Sequence, residues 1–168
     1  MAPPISICPE IRRLRIISWA SASVIAPEAD GDDGHDEHAI HFVALDGTGR
    51  VLGASRLCVH DRVADLPDLS YFARLLSTPE CLAPIGALTR LAVALDAQGN
   101  GLGSRLTRAR VEYGVALGCR SLVVGVRSER IPKFGALGFI SLGQATEAVV
   151  SPWKRPEDPR YVLYRKVR

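Results

Sequence analysis

The sequence predicts an α/β fold: a single mixed, mostly antiparallel sheet with a central parallel strand pair, flanked by helices. Three observations carry this. First, His38 to Leu45 and Val51 to Val59 flank Asp46-Gly47-Thr48-Gly49, the pattern of an antiparallel hairpin with a Gly-containing loop. Second, the apolar stretch Ile85 to Leu95 leads through the glycine-rich Gln98 to Ser104 into a helical repeat, and then into the apolar run Ser121 to Val126. Two strands joined through a helix lie parallel, by a right-handed crossover. Third, 168 residues with no internal repeat and no linker-like stretch suit one domain over residues 1–168.

The remaining elements follow in order. Ile5 to Ile7 reads as a short strand. Pro9 suits a first helical position, and Ile11, Leu14 and Ile17 repeat at helical spacing, so a helix is expected from Pro9 to about Ala20. An acidic loop runs on to Asp36, ahead of the hairpin. Asp68 to Ser77 reads as a short helix stopped before Pro79. After the glycine turn, Leu102, Leu106, Ala109, Tyr113 and Ala116 share one helical face, and Gly118 stops that helix. A short helix from about Arg130 to Leu137 precedes strands near Phe139 to Ala145 and Tyr161 to Val167. A Pro-rich loop containing Trp153 lies between those two strands.

Composition excludes several classes. Apolar residues make up 47% and charged residues 23%, too apolar and too balanced for disorder as a whole. No apolar run reaches the ~18 residues of a membrane span, and Met1 to Glu10 has three prolines instead of a signal-peptide pattern. Cys8, Cys58, Cys81 and Cys119 stand far apart, which fits reduced thiols and a cytoplasmic protein. Net charge is +3, but six of the 18 acids (Glu28, Asp30, Asp32, Asp33, Asp36 and Glu37) crowd into residues 28–37. The rest of the chain carries 21 basic against 12 acidic residues, or +9, which favours an anionic partner such as a nucleotide cofactor. The arginines are scattered and do not alternate with aromatics, so no nucleic-acid platform is expected. His35, His38 and His41 recur every third residue, but in a strand 38 and 41 point to opposite faces, so no metal site is expected. The acidic stretch is no calcium loop: counted from Asp30, its sixth position is His35 and its twelfth His41.

The glycine turn carries the chemistry. Gly99, Gly101 and Gly103 clear side chains from a place where a strand gives way to a helix, whose first N–H groups lack intrahelical partners. A diphosphate fits there. A Walker loop needs Gly-Lys-Ser/Thr, and the segment has no Lys. A dinucleotide fingerprint would need glycine at Ser104 and an acid near Arg127. The pattern that matches is Q/R-x-x-G-x-G/A, at Gln98, Gly101 and Gly103. With Thr89 to Val93 (TRLAV) ahead of it and Leu137 to Phe139 (LGF) beyond, the chain resembles the GNAT superfamily of N-acetyltransferases over about Ile5 to Val167. The resemblance implies the acyl-CoA N-acyltransferase fold and acetyl-CoA as acyl donor. Backbone N–H groups of Gln98, Gly99, Asn100, Gly101, Leu102, Gly103 and Ser104 would then hold the pyrophosphate. Leu91, Ala92 and Val93 would pair with the pantetheine arm, the Val93 N–H facing the thioester oxygen. The reaction would be direct attack by a small-molecule or protein amine.

The sequence departs from that family at the proton-transfer positions. Ala87 stands where many members have Glu, and Phe134 where many have Tyr. His41 is the candidate substitute base, since an ordinary imidazole titrates near neutrality. His60, Glu80 and the acidic loop are weaker candidates, and the acidic loop also reads as a rim that attracts a cationic acceptor. A fainter resemblance, to acyl-homoserine-lactone synthases, rests on Leu14-Arg15, Trp19, Glu28-x-Asp30-x-x-Asp33 and Gly53-x-x-Arg56-Leu57. It implies longer acyl chains moved onto an amino-acid-like amine. A catalytically silent CoA-binding module is the alternative from another class, with Ala87 and Phe134 as its basis. The acceptor, the acyl chain length, the base and acid, and whether the chain forms a homodimer stay open at this level.

Overall fold

The computed structural model describes residues 9–21, 33–67, 75, 78–145 and 160–167. Helix α1 (Pro9–Ser21) leads to strands β1 (Ile40–Leu45) and β2 (Val51–His60), then to β3 (Ile85–Val93). Helix α2 (Leu102–Ala116), β4 (Ser121–Arg127), the short α3 (Ile131–Gly135), β5 (Ile140–Gln144) and β6 (Arg160–Lys166) complete it. The six strands form one sheet in the order β1-β2-β3-β4-β6-β5. Every pair is antiparallel except β3 with β4, so the sheet has the expected central parallel pair.

Several boundaries differ from the sequence reading for local reasons. Residues Asp36–His38 turn as a 3-10 helix, so β1 begins at Ile40 rather than His38. Leu95–Ala97 does the same after β3, which therefore ends at Val93. The expected helix over Arg130 to Leu137 is a 3-10 turn, Ser128–Arg130, followed by α3 with Pro132 in its first turn. The strand expected at Ile5 to Ile7 and the loop around Trp153 lie outside the described residues. So does the helix expected over Asp68 to Ser77, apart from Leu75.

The helices cover opposite faces. Gly53 and Val93 are paired across β2 and β3, and a Cβ on Gly53 would lie 2.9 Å from Leu106 Cδ1 and 3.2 Å from Leu102 Cδ2, so their face carries α2. Ala54 and Ala92, one residue along, pack with Ile11 and Leu14 of α1. This is the period-two alternation of a strand. The larger core lies on the α2 face, where Leu57, Leu88, Val111, Leu122, Val124, Phe134 and Leu163 are buried together. Gly114 lets α2 close down: a Cβ there would lie 2.8 Å from Leu122 Cδ2.

Two irregularities of β3 make the site. Its pairing with β4 runs only from Ile85↔Ser121 to Ala87↔Val123, while its pairing with β2 continues to Val93↔Gly53. Above Ala87 the sheet therefore parts into two halves. The register with β2 also slips between Ala54 and Arg56, so Arg90 and Leu91 together face Ser55. At this bulge Arg90 has φ 54°, a left-handed conformation that a non-glycine residue adopts only where its surroundings hold it. The bulge re-aims Arg90 onto the α1 face beside Thr89, in place of the alternate face a regular strand would give it.

Candidate functional site

A cleft of about 650 Å³ occupies the parting between β3 and β4. One wall is Leu88 to Val93, the other Val124 to Arg127, and the glycine turn closes the upper end. Ala94 N–H donates to Leu52 O at 2.8 Å, so by ladder alternation the N–H of Val93 points away from β2, toward the parting. The outward carbonyls of β3 are met from α1 and from the turn. Trp19 Nε1 donates to Leu91 O at 3.3 Å, Ser18 Oγ to Val93 O at 3.1 Å, and Gln98 Nε2 to Val93 O at 3.1 Å. Gln98 thus ties the turn to the end of its strand.

The turn has backbone features that suit an anion. Gly99 and Gly101 have φ of 81° and 75°, and a Cβ on either would meet nothing within 4 Å. Gly101 caps α2, and its carbonyl accepts the N–H groups of Ser104 and Arg105, both at 3.0 Å. Among the described residues, the N–H groups of Gly99, Leu102 and Gly103 make no such turn bond. Gly103 faces the cleft wall, its would-be Cβ 3.7 Å from Val93 Cγ2 and 4.0 Å from Arg130 Nη2. Arg127, Arg130, Lys133 and Arg160 line the same cleft, with Glu129 among them. Free N–H groups, a helix N-terminus and several cations converge on one end of the cleft.

The expected site residues therefore separate into two groups. Leu91, Ala92, Val93, Gln98, Gly99, Gly101, Leu102, Gly103 and Ser104 line one cleft, and Asn100 sits exposed at the tip of the turn. His41 does not line it. It stands on β1, opposite Arg56 and separated from β3 by β2, with Nε2 3.0 Å from Asp36 O. Its Nδ1 is buried and has no partner among the described residues. His60, at the end of β2, and Glu80 are also absent from the lining. Phe134 does line the cleft, buried and edge-on to Phe139 at 5.3 Å between ring centres. Ala87 is buried where the two strands are still paired, below the parting.

The acidic loop does not present a free anionic rim at Asp33 and Asp36. Asp33 takes a two-pronged contact from Arg56, with both bonds 2.7 Å, and a third from Arg90 at 2.7 Å. Asp36 accepts from Arg56 at 3.0 Å and from Arg15 at 2.7 Å. Burial pushes the Asp33 and Asp36 carboxyls up, but hydrogen bonds and charge from these arginines outweigh it and hold both below the ordinary range. Arg56 is wholly buried; its burial opposes the charge, yet Asp33 and Asp36 raise its pKa. Arg90 also lies over the Trp19 ring, 5.5 Å from its centre. Arg15, Trp19, Asp33 and Arg56, four residues of the second resemblance, thus meet above the bulge. The carboxylates used are Asp33 and Asp36; Glu28 and Asp30 of that pattern lie outside the described residues.

Sequence reasoning missed Arg110, which lies on the inner face of α2 and lines the cleft at 2% exposure. An i+7 spacing from Gly103 placed it on the turn's own face, which was a usable signal. Ser18 and the cations of the β4–α3 connection were missed because no local pattern marks them.

A parted sheet with a glycine turn and a helix N-terminus at the top of the gap has a shape that suits an extended, phosphate-bearing ligand. The family model for the acetyltransferase (GNAT) family matches residues 8–139. The chain belongs to that family, whose members bind acyl-CoA and transfer acyl groups. Solved structures share the fold. BjaI, described as a CoA-dependent acyl-homoserine lactone synthase, was solved with SAM and isopentyl-CoA. It superposes with TM-score 0.66 at 18% identity, over 95% of this chain and 75% of that one. FeeM, an N-acyl amino acid synthase from uncultured soil microbes, gives TM-score 0.66 at 14% identity, over 94% and 89%. The IAA acetyltransferase from Bacillus cereus gives 0.63 at 16%, over 99% and 96%. No curated protein matches the sequence significantly. Among the described residues, no helix is long and apolar enough to cross a membrane.

Proposed function

We propose that the protein transfers the acyl group of a CoA thioester, acetyl-CoA in the simplest case, to an amine by direct attack. The observation that carries this reading is the continuity of the cleft, from the N–H groups of the glycine turn to the outward N–H of Val93. The turn, with Arg130 beside Gly103, suits the pyrophosphate; the β3 edge suits an amide-bearing arm; and the Val93 N–H suits the thioester oxygen. In the reaction the amine lone pair forms the N–C bond, and the C–S bond breaks with its electrons on sulfur. The proton lost from nitrogen goes to solvent or to the departing thiolate. No carboxylate stands at position 87 to take a proton from the amine and no hydroxyl at 134 to give one to the thiolate, so on this reading the amine enters as its neutral form, deprotonated by solvent. A CoA thiol titrates near the ~8.5 of cysteine, so its thiolate leaves without strong acid help.

A longer acyl chain and an amino-acid-like acceptor form a second reading. It is favoured by the Arg15, Trp19, Asp33 and Arg56 cluster beside the cleft, and by the activities printed for BjaI and FeeM. A screen of amines against acetyl-CoA and longer acyl-CoA donors, following free thiol, tests both. Amine-dependent thiol release is expected. Tight CoA binding with no turnover on any amine would leave a silent CoA-binding module instead.

A further inference from the structure

Among the described residues, Arg110 is a buried cation with no anion beside it. Its five guanidinium N–H groups meet four acceptors: Leu106 O at 3.4 Å, Arg56 O at 3.4 Å, Thr89 O at 3.1 Å and Thr107 Oγ1 at 3.2 Å. All four are neutral. Thr89 O and Arg56 O lie beside the bulge of β3, so Arg110 serves the backbone where the ladder is interrupted. That accounts for its hydrogen bonds and leaves its charge unaccounted for. Among the described residues it forms no ion pair, whereas Arg15, Arg56 and Arg90 across the sheet each hold a carboxylate. Burial, with a smaller contribution from the Arg130 charge, lowers its pKa to about 9, so it is still charged at neutral pH. An uncompensated buried charge is costly, and buried charges are ordinarily paired.

Its position indicates what pairs with it. Arg110 lines the cleft together with Leu88, Val124, Val126 and Phe134, all buried and apolar. It lies about two helical turns, ~11 Å, along α2 from Gly103. Helix α2 and the parting between β3 and β4 both run down from the glycine turn, so an acyl chain that continues past the Val93 N–H, away from the turn, descends toward Arg110. Its contact with Thr89 O places it past Leu91 and Val93, on the side of the thioester position away from the turn.

We propose that Arg110 binds a carboxylate at the far end of the acyl chain, so that the preferred donor is the CoA thioester of a short dicarboxylic acid. The apolar side chains around it take the methylene groups between thioester and carboxylate, and the product is an amide that keeps a free acid. This deepens the acyltransferase reading and rests on it. Acetyl-CoA would occupy the outer part of the cleft and leave Arg110 unpaired.

The test compares succinyl-CoA with butyryl-CoA, which has the same number of acyl carbons and a methyl in place of the carboxylate. Affinity by calorimetry and thiol release are measured for the parent, Arg110→Met and Arg110→Lys. The parent should favour succinyl-CoA by at least about tenfold, the size of one charge-assisted hydrogen bond. Arg110→Met should invert that ratio, and Arg110→Lys should keep part of it. Ratios within each protein cancel any general loss of binding, and the parent's ratio decides even if a variant fails to fold. Equal affinity of the parent for the two donors would overturn the proposal. Unacylated CoA is measured alongside: its failure to bind would overturn the acyltransferase reading itself, whereas its binding with no succinyl preference sinks only the role of Arg110.

Discussion

Gly103 separates ligand binding from folding more cleanly than any other position in the turn. A Cβ there would lie 3.7 Å from Val93 Cγ2, 3.8 Å from Leu91 Cδ2 and 4.0 Å from Arg130 Nη2, all ordinary contacts. Gly103 is helical, so a side chain brings no backbone strain. Gly101, with φ 75°, is different: an alanine there takes on a left-handed conformation costing about 1–2 kcal/mol. Gly103→Glu should therefore fold with an unchanged or slightly raised Tm, while Gly101→Ala lowers it. The carboxylate of Gly103→Glu would sit within about 4–5 Å of a diphosphate on the turn. Repulsion between unit charges at 4 Å is about 1 kcal/mol in water and about 4 kcal/mol at a partly buried surface. Two phosphate charges give at least about 2 kcal/mol, or roughly 30-fold in Kd. The new carboxylate can also draw Arg130 away from the ligand, which adds to the loss. Calorimetry with CoA, beside thermal melting, measures both quantities. A Gly103→Glu protein that melts normally and binds CoA as the parent does would refute the assignment of the turn to the pyrophosphate.

Other outcomes follow from the same structure. Phe134→Tyr should raise turnover no more than about tenfold, because the thiolate needs little acid help; a rise of several hundredfold in steady-state kcat would show that the absent hydroxyl limits the rate. Without an enzyme base, log kcat/KM should climb with pH until the acceptor amine's own pKa; a plateau well below that pKa, the same for different amines, would reveal a base in the protein. Asp33→Asn leaves Arg56 and Arg90 short of a carboxylate and should cost about 3 kcal/mol, or roughly 6–12 °C in Tm. The paired Asp33 and Asp36 are held below their unfolded pKa, so their stabilisation is complete above about pH 4 and is lost as pH falls further; denaturant midpoints should drop there, and drop less in Asp33→Asn.

The sequence by itself determined the strand and helix order, the parallel pair and the glycine turn, because each rests on local rules. Alternation and turn chemistry around Asp46 to Gly49 specify the β1–β2 hairpin whatever surrounds it. Gln98, Gly101 and Gly103 announce a strand-to-helix turn, in which the N–H groups of Gly99, Leu102 and Gly103 make no turn bond among the described residues while those of Gln98 and Ser104 do. The acidic stretch shows the limit of such rules. As composition it reads as a charged rim, yet the fold carries Asp33 to Arg56 and Arg90, and Asp36 to Arg15, partners separated by up to 57 positions of sequence. His41 likewise carries a suitable imidazole, but sheet order sets it on the far side of β2 from the cleft. Only the tertiary structure decided where β3 and β4 part, since their pairing stops at Ala87 while β3 stays paired with β2 through the bulge at Arg90. It alone also placed Arg110 at the inner end of that parting. An arginine on a helix face looks solvated until the opposing strand is known, and burial of its charge is a property of two elements together.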